Sequence, residues 1–220
     1  MDQLPLSPVA EANHRIANSL ALLAGLVRMQ ARALGRSSRT YSNPEIRLLF
    51  DGVAARLATI GQLHRMLSAV PAEGAILLNT HLRGVCANLA AAFSSELQPI
   101  RIEHHGTDCL VPTQYVQPIT LIVCEILTNA IKYAHPSSVP VHLTLGCECR
   151  AEDTLVLTLA DDGVGLPEGF DEKRDGGIGF QIMRALAAEI GAMLDVRSDN
   201  LGVTFHLNVP HSVVANARTA

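Results

Sequence analysis

The chain has 220 residues, of which 48% are hydrophobic and 17% are charged, and its formal net charge is −4. This composition predicts one large or two small folded domains and excludes a disordered chain. The acidic balance and the aromatic content of 4%, with no Trp, argue against nucleic acid as a partner. Neither a signal pattern nor an apolar run of membrane-spanning length is found in the sequence, so we expect a cytoplasmic protein without membrane insertion.

The cysteines are odd in number and scattered: Cys86, Cys109, Cys124, Cys147 and Cys149. The spacing Cys147-x-Cys149 is too tight for an ordinary zinc site, and no second pair accompanies it. Since cytosolic proteins keep their thiols reduced, we expect buried, reduced cysteines.

Two long helices are predicted for the N-terminal part of the chain. The first, about 10–34, is rich in Ala and Leu and carries two adjacent apolar stripes, and the second covers about 44–69. Two antiparallel helices bury little apolar surface alone, so we expect a dimeric four-helix bundle and hence a homodimer. A break at 70–74 predicts a boundary between a helical domain, 1–72, and a second domain, 73–220.

The second domain contains both helical and strand patterns of hydrophobic residues. Helices are predicted over 81–94, 113–134 and 179–191, and strands over 100–105, 141–149, 154–160, 193–197 and 203–209. This order predicts a fold of the α+β class in which helices cover a sheet.

His14 lies off both apolar stripes of the first helix. At about 100° per residue it shares the remaining face with Ala17, Ala21 and Gly25. We therefore expect His14 to be exposed above a strip of small residues.

The helix predicted over 113–134 places Glu125, Asn129 and Lys132 on one face, at spacings of four and three. As a surface face with one ion pair, this arrangement would add only about 0.3 kcal/mol of stability. As the wall of a site, it offers an amide oxygen for hydrated Mg²⁺, a carboxylate that can position water, and a cation for phosphate. An Asn in mid-helix is disfavoured and therefore needs a reason.

A stretch further along the chain has the composition of a nucleotide pocket. An apolar strand ends in Asp161 and Asp162, and the turn Gly163-x-Gly165 follows. After a polar loop, the glycines of 176–179 open a helix. A carboxylate at a strand end can accept from a base or ribose, while glycines at a helix start let N–H groups approach phosphate.

Together these motifs resemble the ATPase domain shared by sensor histidine kinases, Hsp90, DNA gyrase and MutL. The matching segments are Glu125-x-x-x-Asn129 for the N box, Asp161-x-Gly163-x-Gly165 and Gly177-x-Gly179 for the glycine boxes, and Gly202-x-Thr204-x-x-Leu207 for the closing strand. Their order and spacing agree with the family. The resemblance implies a GHKL-type α/β sandwich that binds ATP.

The helical part resembles the HRxxN sub-family of histidine kinases, which is close to the HWE kinases. His14-Arg15-Ile-Ala-Asn18 is similar to its phosphoacceptor signature, and 56–67 is similar to its second helix. The resemblance covers about 10–210, nearly the whole chain.

Three departures from the pattern stand out. Ala17 occupies a position where the family usually has Lys, and Phe180 one where Leu is commoner. The hallmark Trp of the HWE kinases is absent, which is why the neighbouring branch fits better.

The resemblance implies that His14 is the phosphorylated nucleophile, since neutral imidazole can attack the γ-phosphate of ATP at physiological pH. Glu11, one turn earlier, would orient or deprotonate it. The phosphoryl group would then pass to an Asp of a response-regulator receiver domain. His64 lies on the inner face of the second helix and is interpreted as a packing residue.

The resemblance also implies ATP and Mg²⁺ as cofactors. Asn129 would hold the metal, with Glu125 nearby and Lys132 at the phosphates. Asp161 would accept a hydrogen bond from the adenine amino group, with support from Thr204. The other implied nucleotide-site residues are the pocket glycines Gly163, Gly165, Gly177 and Gly179 and the loop cations Lys173 and Arg174.

Two other functions remain open on the sequence. A histidine phosphotransferase would have the same architecture with little or no ATP use, but its glycine boxes and N box decay, whereas those of this chain are intact. An ATP-driven clamp, or a serine kinase acting on an anti-sigma antagonist, would lack the paired helices with an exposed His.

Overall fold

The computed structural model describes residues 42–43, 74–94, 98–135, 139–150, 154–171 and 175–210. The chain divides into two units, Met1–Ala72 and Glu73–Ala220, and the fold described below belongs to the second. The predicted helical hairpin and its four-helix bundle lie outside the described residues. The roles assigned to 1–72 and 73–220 stay predictions.

The second unit contains three helices and seven strands among its described residues. In chain order they are β1 Ala75–Leu77, α1 Leu78–Phe93, β2 Ile100–Gly106, β3 Leu110–Pro112, α2 Thr113–Tyr133, β4 Val141–Cys149, β5 Leu155–Asp161, α3 Ile178–Glu189, β6 Met193–Asp199 and β7 Gly202–Val209. All eight elements predicted for this unit are present, and their ends lie at the predicted residues or within three residues of them. β1 and β3 were not predicted, because three residues are too few for a period-2 pattern to show.

Five strands form the main sheet, in the order β2-β4-β5-β7-β6. β2 lies parallel to β4, and the chain crosses from one to the other through β3 and α2, while the remaining neighbours are antiparallel. β1 and β3 form a separate two-stranded antiparallel sheet. This topology brings the ends of α2, β5 and β7 into the same region of the fold.

One face of the main sheet forms the core. Burial alternates along β4, and the leucines Leu145, Leu157 and Leu207 on the covered face have no exposed surface. α2 packs against α1 and α3 and contacts β4 and β5, which explains why it is buried over most of its length. The predicted α/β sandwich is therefore confirmed. None of the helices in the described part of the chain is both long and apolar enough to cross a membrane.

The cysteines differ from the expectation in one respect. Cys109 and Cys149 form a disulfide, so the prediction of reduced thiols is wrong for this pair. They are 40 residues apart, but Cys109 follows β2 and Cys149 ends β4, and these strands are parallel neighbours. The other three cysteines are free and buried, and burial raises the pKa of the Cys86 and Cys147 thiols to about 12. Such thiols stay protonated and unreactive.

Candidate functional site

The last half of α2 forms one wall of the candidate site. Glu125 is only 8% exposed, Asn129 is half-buried and Lys132 is exposed, so the face runs from the core to the surface. The start of α3 rests directly on this wall. A Cβ atom added to Gly179 would lie 3.1 Å from Glu125 Oε2 and 3.2 Å from Asn129 Nδ2. The absence of a side chain at Gly179 therefore lets α3 approach α2 at the residues of the N box.

The chemistry of this wall fits Mg²⁺. Both Glu125 and Asn129 carry side-chain oxygens, which are the donors that a small, hard cation prefers. Magnesium in nucleotide sites usually takes only one or two protein ligands and completes its shell with phosphate and water. Within the described ranges there is no group of three or more His, Cys, Asp or Glu that could hold a metal by itself. A cation here would therefore be held jointly by the wall and a nucleotide.

Asp161, the last residue of β5, is held in place by backbone donors. Its Oδ1 accepts hydrogen bonds from Gly163 N at 3.0 Å and from Val203 N at 3.2 Å. The neighbouring Gly202 has φ +138°, and its Cα faces the carbonyl oxygen of Asp161, where a side chain would clash. Among the described residues, the hydrogen bonds of this carboxylate all go to Oδ1. Oδ2 is thus the oxygen that a ligand can use.

The environment of Asp161 shifts its titration. Burial raises the pKa of its carboxyl, and the charge of Asp162 acts in the same direction. The N–H groups of Gly163 and Val203, and the charge on His135, oppose the shift. Proton uptake on Asp161 therefore begins at a higher pH than for an ordinary Asp.

The first glycine turn packs closely against the backbone at the end of α2 and at the end of β6. A Cβ atom on Gly163 would lie 2.6 Å from both Cα and O of Ala134, just past the end of α2. Gly165 has φ +74°, and an added Cβ would collide with the carbonyl oxygen of Asp199 at the end of β6. Val164 N donates to Ala134 O at 2.9 Å, which ties the same turn to α2. Close backbone contacts require glycine at both positions, and at Gly165 the positive φ requires it as well.

Replacing Gly163 with Ala is expected to lower the free energy of unfolding by about 1–3 kcal/mol, because the new methyl group meets backbone atoms that cannot move alone. Gly177→Ala is the matched control. An added Cβ there meets no atom within 4 Å, and the residue has φ −65°. Urea denaturation of both variants checks the prediction, which fails if Gly163→Ala is as stable as Gly177→Ala.

The structure does not bring Thr204 to Asp161. Thr204 pairs with Ala160 on β5 and with Arg197 on β6. Because neighbouring residues of a strand point to opposite faces, Thr204 lies on the face of the sheet opposite to Asp161. The residue before it, Val203, donates its backbone N–H to Asp161 Oδ1. The support that Thr204 would give to adenine binding stays a prediction.

The loop between the glycine boxes packs through aromatic rings. Phe180, on the first turn of α3, lies between Phe170 of the loop and Phe205 of β7, with ring centroids 5.7 Å and 6.0 Å apart. The Phe found at position 180, where the family more often has Leu, therefore joins the loop to the sheet. Gly177, by contrast, is exposed and has open space beside it. Lys173 and Arg174 lie outside the described residues, as do His14 and Glu11.

Two polar contacts around the site were not predicted. Ser198 Oγ of β6 accepts from Leu166 N at 2.7 Å and so holds the end of the first glycine turn. His135 Nε2 lies 2.7 Å from Asp162 Oδ1. The spacing of His135 in the sequence does not indicate this contact, because its partner is 27 residues away. The adjacent acidic residues Asp161 and Asp162, at the end of β5, were the one feature of the sequence that could have indicated this contact.

Two family models match the chain. The model described as "Histidine kinase" matches residues 11–93, which include His14 and α1. The model described as "Histidine kinase-, DNA gyrase B-, and HSP90-like ATPase" matches residues 115–213, which include the site on α2, β5 and α3. Together the matches cover most of the chain.

Curated relatives of the chain are also named as histidine kinases. The chain is 26% identical over 217 residues to Blue-light-activated histidine kinase 2 of Erythrobacter litoralis, covering 96% of the chain and 60% of the relative. It is 29% identical over 205 residues to Sensor histidine kinase PdtaS of Mycobacterium tuberculosis, covering 92% of the chain and 39% of the relative. The chain therefore spans less than two thirds of either relative.

A solved structure supports the fold. The histidine kinase domain of the Erythrobacter litoralis EL346 blue-light activated histidine kinase superposes with a TM-score of 0.68 at 24% identity. The match covers 94% of this chain and 95% of that domain. With the histidine kinase model at the N-terminal end and the ATPase model after it, the chain belongs to the histidine kinase family, as its motifs predicted.

Proposed function

We propose that the protein is an ATP-dependent protein-histidine kinase that phosphorylates itself on His14 and passes the phosphoryl group to an Asp of a response regulator. The observation that carries the proposal is the approach of Gly179 to Glu125 and Asn129. This contact places a helix N-terminus, which favours phosphate, beside oxygen donors suited to Mg²⁺. A site of this composition fits a nucleoside triphosphate.

The base and the phosphates would be bound at different parts of the site. Asp161 is held by two backbone N–H groups and keeps Oδ2 for the adenine amino group. Asn129 and Glu125 would hold Mg²⁺, which draws charge from the γ-phosphate when bound. Lys132 lies on the exposed end of the same wall and is suited to a phosphate oxygen.

The exposed start of α3 would admit the phosphates. Gly177 precedes the first turn of α3 and has open space where a side chain would be. Lys173 and Arg174, four and three residues before it, would neutralise the γ-phosphate during transfer. Phe170 would anchor the loop that carries these cations, because its ring packs on Phe180.

The helical part would receive the phosphoryl group. The histidine kinase model begins at residue 11, so its match includes both His14 and Glu11. We assign His14 as the nucleophile, Glu11 as the residue that orients it, and 1–72 as the part that forms a homodimer. A receiver domain would dock on the strip of small residues beside His14. We also propose a cytoplasmic location, because the ATP that would donate the phosphoryl group is found there.

Labelling with γ-labelled ATP and Mg²⁺ tests the proposal. The protein should acquire a label that survives base and is lost in acid, as expected for a phosphorus–nitrogen bond, and chelation of Mg²⁺ should prevent it. A nucleotide titration by calorimetry accompanies the labelling. A protein that accepts phosphate from a phosphorylated regulator but neither binds ATP nor is labelled by it would be a phosphotransferase, and the kinase proposal would be rejected.

A further inference from the structure

We propose that His135 and Asp162 form a positioning pair that fixes the carboxylate of Asp161 relative to the end of α2. This role rests on the proposed function, because it matters only if Asp161 reads a base. His135 lies two residues after α2, and its Nε2 is 2.7 Å from Asp162 Oδ1. The pair therefore joins the helix that carries Asn129 to the strand end that carries Asp161.

Asp162 also joins the start of β4 to the same point. Its Oδ1 accepts from His142 N at 3.1 Å, and its own N–H donates to His142 O at 3.3 Å. A single carboxylate oxygen thus bridges both ends of the connection between α2 and β4. Since Asp161 is the adjacent residue, any displacement of Asp162 is transmitted to it through one peptide unit.

The end of α2 contacts the first glycine turn through its backbone as well. Gly163 packs on Ala134, and Val164 N donates to Ala134 O at 2.9 Å. The contact between His135 and Asp162 is the side-chain part of this connection and can be removed by substitution. His135 is 15% exposed and Asp162 46%, so water competes only partly with their hydrogen bond.

The charges around Asp161 are consistent with this role. Burial acts to raise the pKa of Asp162, but the hydrogen bonds from His135 and from His142 N outweigh it and hold that pKa below its usual value. An ionised Asp162 acts to raise the pKa of Asp161, and His135 acts to lower it.

Nucleotide affinity of the full chain tests the pair. His135→Leu removes the donor and is expected to weaken ATP binding about fivefold, which corresponds to the loss of one partly exposed hydrogen bond. His135→Gln keeps an amide N–H at the reach of Nε2 and is expected to bind ATP like the wild type. In autophosphorylation, His135→Leu should raise the KM for ATP and leave kcat unchanged, since the pair does not touch the phosphates.

Thr80→Ala is the matched control for a general loss of stability. It removes another side-chain hydrogen bond, from Thr80 Oγ1 on α1 to Asp108 Oδ2 in the loop between β2 and β3, at 2.8 Å. Its melting temperature should fall comparably with no change in ATP affinity. A second check is His135→Leu on an Asp162→Ala background, where the partner is already lost and no further weakening is expected.

The outcomes separate this role from the kinase proposal. If the wild type binds ATP and His135→Leu binds it equally well, the positioning role is wrong while the kinase assignment stands. Failure of His135→Gln to restore affinity, or additive losses on the Asp162→Ala background, would also overturn it. A wild type that binds no nucleotide overturns the proposed function and, with it, the role of the pair.

Discussion

Replacement of His14 with Gln is expected to reduce labelling by ATP to background. Gln is polar and of similar length, so the change removes the imidazole and little else. An amide nitrogen is not a nucleophile at neutral pH, whereas neutral imidazole can form a bond to the γ-phosphorus. Phosphor imaging of the wild type and the variant after incubation with γ-labelled ATP and Mg²⁺ measures the effect.

His64→Gln is the matched control, because it makes the same chemical change at the histidine interpreted as a packing residue. It should retain the label. ATP affinity of His14→Gln should equal that of the wild type, since the proposed nucleotide site lies on α2, β5 and α3. Labelling of His14→Gln at the wild-type level would show that another residue accepts the phosphate.

The architecture of the second unit could be predicted because its elements have strong local signals. β4 alternates buried and more exposed residues over its first eight positions, and its predicted bounds of 141–149 are those of the structure. α2 is a long apolar helix whose polar positions recur at helical spacing. Such patterns depend on neighbours in the sequence, so they are visible without knowledge of the fold.

The features that the sequence did not predict depend on contacts between residues that are far apart in the chain. Asp161 accepts a hydrogen bond from the backbone of Val203, while Thr204 lies on the opposite face of the sheet. The register between β5 and β7 and the alternation of side chains along each strand decide this arrangement. The disulfide of Cys109 and Cys149 requires that two strands lie side by side. Neither register nor strand order is encoded in the spacing of motifs, and a one-residue shift reverses the face of every side chain.

The residues predicted for the nucleotide site rest on a different kind of reasoning, and their roles stay predictions. Glycines at 163 and 165 and the carboxylate of Asp161 recur in a fixed order in a known family, so their roles are inferred by resemblance. The structure adds a physical reason for the glycines, since a side chain at 163 or 165 would collide with the backbone of Ala134 or Asp199. It also places Gly179 against Asn129, which no local pattern predicts.

Asp161→Asn is expected to weaken ATP binding about 10- to 100-fold. This is the effect of losing one hydrogen bond to a charged acceptor. The fold should survive, because the amide oxygen of Asn can replace Oδ1 and still accept from Gly163 N and Val203 N. That orientation puts the NH₂ group where Oδ2 was. A donor then faces the amino group of adenine, which is itself a donor.

The same geometry predicts that Asp161→Asn improves binding of inosine triphosphate, which has a carbonyl oxygen in place of the amino group of adenine. An NH₂ group at the Oδ2 position donates to this carbonyl, whereas the wild-type carboxylate repels it. The ratio of ATP to inosine triphosphate affinities, measured by calorimetry, should therefore fall by more than the ATP affinity does alone. Asp195→Asn, at an exposed site on β6 paired with Arg197, should leave the ratio unchanged.

The pH dependence provides an independent test of the same orientation. Burial raises the pKa of Asp161, so wild-type affinity for ATP should decline on acidification at a higher pH than for an ordinary Asp, as the carboxylate takes up a proton and stops accepting. Asp161→Asn has no proton to gain there, so this component of the pH profile should be missing from the variant. Equal ATP affinities in the two proteins at every pH would mean that Asp161 does not contact the base, and the adenine would then have to be bound elsewhere.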